Sequence, residues 1–149
     1  MLVKPTFEAV YYIAQRMRAI DQLEVFSLRW SDSREALTAA VMQRSSLAWI
    51  AAAADGEPVY ACGVIPERPG VWSLWGFSTD RWPEVMRQVS KMILRDFPRL
   101  HDEWHRIDVI TLAEKIDGHK WLRRLGAVET CDLVGYGRHG EDYKMFTWR

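Results

Sequence analysis

The sequence has only two cysteines, Cys62 and Cys131, too few for a disulfide framework, and each lies in an apolar run where a free thiol packs as a small hydrophobe. It has no surplus of charge: 20 Lys plus Arg balance 20 Asp plus Glu. No net field recruits nucleic acid or an anionic membrane, so neither is expected as a partner. No run approaches the roughly 18 uncharged apolar residues of a membrane span. The opening Met1-Leu2-Val3-Lys4-Pro5-Thr6 lacks the apolar stretch and small-residue cleavage site of a secretory signal. The expectation is a protein neither secreted nor membrane-spanning, kept in a reducing compartment. Nine Gly and six Pro in 149 residues exclude a collagenous or low-complexity chain. No linker, repeat or charge run divides the sequence, which predicts one domain over residues 1–149.

Tryptophan is plentiful. There are eight, and Trp72, Trp75 and Trp82 fall within eleven residues. Such clusters fill cores and interfaces or stack on a ligand. Trp72 and Trp75 are three apart, so a regular strand points them to opposite faces.

The order of elements follows from periodicity. Phe7, Val10, Tyr11, Ala14 and Met17 keep the spacing of an amphipathic helix. Asp21 with Glu24, and Asp32 with Glu35, read as acidic caps of two further short helices. Asp55-Gly56 between the apolar runs 47–51 and 59–65 signals a hairpin, with Pro58 tolerated at a strand start. Val71–Phe77 reads as a third strand, with Gly76 marking a bulge or a close backbone approach. Asp80 reads as the cap of the next helix, with Pro83 and Glu84 in its first turn and a stripe of Val85, Val89, Met92, Ile93 and Phe97. The β-branched run Ile107–Leu112 completes a parallel βαβ unit. A short helix follows from Ile116 to Leu125, closed by Gly126. Two strands, Val128–Val134 and Tyr143–Trp148, end the chain. The fold class is α/β (α+β): a mixed, mostly antiparallel central sheet with one parallel pair and flanking helices.

Two patterns are weighed and set aside. Gly135-Tyr136-Gly137-Arg138-His139-Gly140 matches G-x-G-x-x-G, but a dinucleotide site must open a helix in a βαβ unit, and here a strand follows. His101 and His105 stand four apart, but the segment joins a helix to a strand and offers no third ligand, so no metal is expected. No nucleophile elbow or Cys/His pair supports acyl-enzyme chemistry.

This order of helices, hairpin, βαβ unit, short helix and final hairpin resembles the GNAT superfamily of N-acetyltransferases over nearly the whole chain. Trp121-Leu122-Arg123-Arg124-Leu125-Gly126-Ala127 is similar to the family's "Y-x-x-L-G-F" helix end. Met17-Arg18-Ala19-Ile20-Asp21, Trp75-Gly76-Phe77-Ser78-Thr79-Asp80 and His119-Lys120-Trp121-Leu122 resemble a narrower branch, the small acetyltransferase-like proteins of tailed phages and prophages, including a small internal virion protein. The resemblance implies acetyl-CoA as cofactor, an amine substrate or a protein partner, and a place in the host cytoplasm or the phage virion. It implies Phe77, Ser78, Thr79, Arg81 and Val85 as cofactor-binding residues. The family holds the pyrophosphate on a glycine-rich "R/Q-x-x-G-x-G/A" turn whose amides face the phosphates. The matching stretch keeps Arg81 but has Glu84 and Met86 at the glycine positions and Pro83 beside them. A carboxylate repels phosphate, a thioether fills the cradle and proline removes an amide donor. Where the family often has an Asn and a general-acid Tyr, this chain has Lys115 and Leu122, and leucine donates no proton. Tyr136 and Tyr143 as acids, and Asp80, Asp108 and Glu114 as bases, remain open. Two functions are therefore expected: an acyl-CoA-dependent N-acyltransferase with an atypical cofactor turn, or a non-catalytic phage accessory or virion protein that binds a protein partner.

Overall fold

The computed structural model describes all 149 residues. After the two-residue strand β1 (Leu2–Val3), the Thr6 hydroxyl accepts from the Ala9 amide at 3.2 Å and starts α1 (Phe7–Gln15). Helices α2 (Ala19–Phe26) and α3 (Arg34–Arg44) follow. Their caps differ from the acidic ones the sequence suggested. Ser33 caps α3 by accepting from the Ala36 amide at 3.1 Å, one residue after Asp32. Asp21 lies inside α2, whose N-cap Arg18 makes no side-chain cap bond, because its carboxylate is drawn into the interior by other donors.

The hairpin of β2 (Leu47–Ala52) and β3 (Pro58–Arg68) is present. Its turn has positive φ at Gly56 alone, and Asp55 accepts the Glu57 amide at 3.1 Å through its side chain. β4 (Gly70–Ser78) leads to α4 (Trp82–Arg99), which runs on through Pro98, then to β5 (Trp104–Leu112), α5 (Ile116–Arg124), β6 (Val128–Leu133) and β7 (Tyr143–Trp148). The seven strands form one sheet in the order β1-β2-β3-β4-β5-β7-β6. Only β4 and β5 run parallel, as expected of the βαβ unit.

Two cores sandwich the sheet. Val10, Ile13, Leu37 and Val41 pack with Ile50, Ala61 and Phe77 on one face. On the other, the predicted stripe Val85, Val89, Met92, Ile93 and Phe97 packs on Tyr60, Val64, Trp72 and Leu74. Each large apolar side chain so buried contributes about 1.5–3 kcal/mol. Trp72 lies in this second core, while Trp75 packs toward the first and donates from Nε1 to Ser45 Oγ at 2.7 Å, so the two do face opposite ways. Gly76 keeps regular register with Cys62 and forms no bulge. The space a Cβ would need there is taken by the Tyr60 phenol, which is the close approach that requires glycine.

Candidate active site

The parallel pair is paired for only part of its length. Its register runs Gly70 with Trp104, Val71 with Arg106, Trp72 with Ile107 and Ser73 with Asp108, and then stops. Beyond that point Leu74–Ser78 and Val109–Leu112 diverge around a cleft of roughly 810 Å³. Splayed strands expose edge amides, and these must find acceptors. Helix α2 supplies them from one face, because Asp21 and Glu24 are three residues apart. Asp21 Oδ2 accepts the Ser78 amide of β4 at 2.7 Å. Glu24 Oε2 accepts the Leu112 amide of β5 at 3.0 Å and the Thr111 hydroxyl at 2.8 Å. Lys115, just ahead of α5, ties the two carboxylates together at 3.0 Å to Asp21 and 2.8 Å to Glu24. Burial alone would lower the Lys115 ammonium, but Glu24 and Asp21 outweigh it and hold the group above its ordinary value. The result is a charged wedge between the strands.

Aromatic rings line the opposite side. Trp82, the first residue of α4, tilts over Tyr60 at 4.7 Å between centroids and meets Trp121 of α5 edge-on at 5.2 Å. Trp121 Nε1 donates to Ser90 Oγ at 2.8 Å. These rings join α4 to α5 beside the cleft.

The turn from β4 into α4 holds the residues the resemblance assigned to the cofactor, and five of its amides are bonded within the chain. The Ser78 amide goes to Asp21, the Thr79 amide to Val59 O at 2.9 Å, the Arg81 amide to Thr79 Oγ1 at 3.3 Å, the Trp82 amide to Thr79 O at 3.1 Å and the Glu84 amide to Arg81 O at 3.0 Å. Pro83 has no amide hydrogen to give. The Arg81 guanidinium is chelated by three carboxylates: both Glu84 oxygens at 2.7 and 2.8 Å, Asp55 at 2.9 Å and Glu57. Glu84, Asp55 and Glu57 together raise Arg81 above its ordinary value. Glu84 is lowered by Arg81, Glu57 by the Tyr12 hydroxyl and then Arg81, and Asp55 by the Glu57 amide and then Arg81. Phe77 and Val85 are fully buried in the two cores. A pyrophosphate needs free amides and a free cation, and the turn offers a carboxylate and the Met86 side chain instead. These residues do not fit acetyl-CoA in the family's manner.

The catalytic candidates scatter. Leu122 is buried, and Lys115 belongs to the wedge. Asp108 accepts from Arg106 Nε at 2.8 Å and from the Thr147 hydroxyl at 2.7 Å. Tyr143 is buried and donates to Glu24 O at 2.7 Å, and burial raises its phenol. Tyr136 is half exposed and rests edge-on against Tyr143. Glu114 lines the cleft, whereas Asp80 is exposed and caps nothing, since Arg81 is the N-cap of α4. Cys62 is buried, and burial pushes its thiol up to about 12. Gly135–Gly140 forms the loop between β6 and β7, and no group of three or more His, Cys, Asp or Glu side chains is placed to hold a metal ion. Sequence reading missed Arg18, Asp21 and Glu24 as cleft residues. An acidic pair at a helix start reads as a cap until the partner strands are known.

The sheet order, the single parallel pair and its splay decide the architecture, and solved structures agree. A ribosomal-protein-alanine N-acetyltransferase from Brucella melitensis superposes with a TM-score of 0.73 at 14% identity, covering 99% of this chain and 98% of its own. A GNAT-family acetyltransferase from Bacillus anthracis gives 0.72 at 9% identity, covering 99% and 92%. A spermidine N-acetyltransferase variant from Vibrio cholerae gives 0.69 at 12% identity, covering 99% and 93%. The chain has the GNAT acetyltransferase fold. No family model and no curated protein matches its sequence.

Proposed function

We propose that the chain uses the acetyltransferase fold as a non-catalytic binding module whose cleft receives a protein partner. One observation carries this reading: in the turn that would hold the cofactor phosphates, the amides of Ser78, Thr79, Arg81, Trp82 and Glu84 have internal acceptors and the Arg81 guanidinium is enclosed by three carboxylates. Binding phosphate there requires breaking those bonds and placing negative charge beside Glu84. The pieces Met17–Asp21 and Trp75–Asp80 support an accessory or virion protein of a tailed phage as its setting. Head, portal or internal-core genes beside its own gene would support that setting.

A second reading has its own observation. The splay between β4 and β5 opens a cleft in a chain that shares its fold with N-acetyltransferases, and an acyl-CoA and an amine would meet there. One assay separates the two. The protein is mixed with acetyl-CoA and either spermidine or a peptide with N-terminal alanine, the acceptors named for the structural neighbours, and thiol release is followed. The module reading predicts no release above the protein-free rate. Turnover that scales with protein concentration establishes the acyltransferase instead.

A further inference from the structure

Among the cations lining the cleft, Arg18 is the one with a buried donor that has no partner. Lys115 is held by two carboxylates. Arg18 gives one bond, from Nη2 to Asp21 Oδ1 at 2.9 Å, while its Nε is buried without any partner. Its side chain is 25% exposed, lines the cleft, and sets its guanidinium 5.9 Å from the centre of the Trp82 ring. A buried donor without an acceptor is rare, and it marks a place where a ligand atom can complete the structure.

The strand beside it is also incomplete. The Ser78 amide and carbonyl point away from β3, to Asp21 and to the Arg18 amide, whereas the Thr79 amide points back to Val59. Backbone direction alternates along an antiparallel strand, so the main-chain groups of Gly76 and Leu74 face the gap as Ser78 does. The Ser73–Asp108 pairing takes up the Leu74 amide, and beyond it no β5 residue pairs with the Leu74 carbonyl or with Gly76. The edge is bare for the length of a short segment, and the cleft volume lies in the range of a ligand pocket. Tyr60, Trp75 and Trp82 supply apolar surface beside it.

We infer that the cleft takes an extended peptide carrying an acidic side chain, which adds its backbone to the bare edge of β4 from the Leu74 carbonyl to Gly76 and places its carboxylate on Arg18 Nε. Main-chain pairing gives such a segment its grip, and the charged contact sets which segment is accepted. The inference rests on the binding-module reading and names its partner's chemistry.

A random heptapeptide library displayed on yeast is the probe, selected against the whole protein. The expected result is a consensus with Asp or Glu at one position. Calorimetry on a selected peptide should then show at least tenfold weaker binding to Arg18→Met, and the same loss when the peptide acid is changed to its amide. The amide peptide should bind the wild type and Arg18→Met alike. Arg18→Lys keeps the charge and the Asp21 pair and should lose less than Arg18→Met, while thermal melts confirm that both variants fold. Saturating peptide should slow hydrogen exchange at Gly76. A selection without an acidic consensus, or affinity within twofold of wild type in Arg18→Met, overturns the proposal. Acetyl-CoA is titrated separately. If it binds at micromolar levels the module reading fails whatever the peptides do, and if neither binds, only the peptide inference falls.

Discussion

The second half of β4 and the turn that follows it are neighbours in sequence, yet their hydrogen-bonding states are opposite. Gly76 and the Leu74 carbonyl face a gap with no partner strand, and Arg18 beside them has an unused buried donor. A few residues on, Ser78, Thr79, Arg81, Trp82 and Glu84 have their amides bonded within the chain, and Arg81 is enclosed by carboxylates. The gap stands open while the turn bonds five of its amides within the chain, so the two regions differ in chemistry although they share one strand.

The largest effect is expected at the wedge that keeps the gap apart. Lys115→Met leaves the Glu24 carboxylate in a buried place without a cation and Asp21 with Arg18 alone. Removing one member of such a network costs about 3 kcal/mol or more, a fall in Tm of about 6–12 °C for a domain of this size. Arg81→Met at the turn should cost clearly less, because its partners sit in water. Thermal denaturation of both variants checks the ranking, and a Lys115→Met loss under about 1 kcal/mol contradicts it.

A middling effect is expected where the rings join α4 to α5. In a double-mutant cycle of Trp82→Leu and Trp121→Leu, the edge-on pair should show a coupling of about 0.5–1.5 kcal/mol. Additive losses would mean that each ring packs independently.

The smallest effect depends on pH. His119 is buried on α5, bonded through Nε2 to Leu112 O at 2.8 Å, and burial lowers its imidazole below the ordinary value. The unfolded chain, titrating near about 6.5, therefore takes up the proton first. Stability is complete above that pH and is lost as the pH falls below it. Glu84 and Glu57, also held low, act only at more acidic pH, through the carboxylate range. Denaturant melts between pH 7 and 5 should show the decline in the wild type and a flatter profile in His119→Gln.

Much of the fold was legible because it follows local rules. The stripe Val85–Phe97, the Asp55-Gly56 hairpin and the run Ile107–Leu112 each identify their element, and strand-helix-strand order implies the parallel pair. The departures of Glu84, Met86 and Pro83 from a phosphate cradle were legible for the same reason, since composition alone shows a missing glycine. The wedge was not. Asp21 and Glu24 look like helix-start acids, and only tertiary pairing with Ser78, Leu112 and Lys115 reveals them as acceptors for two strand edges. Arg18 was equally silent, because an unused donor exists only relative to neighbours brought from elsewhere in the chain.

The most direct measurement is calorimetric titration of acetyl-CoA into the unaltered protein, alongside a Glu84→Gly, Met86→Gly double variant whose melting is followed in parallel. A working site binds in the micromolar range and at a hundredfold excess stabilises the fold by about 2.7 kcal/mol. The closed turn predicts neither binding heat nor a Tm shift in the unaltered protein at that excess. Micromolar binding by the unaltered protein, undiminished by the presence of Glu84 and Met86, would contradict it.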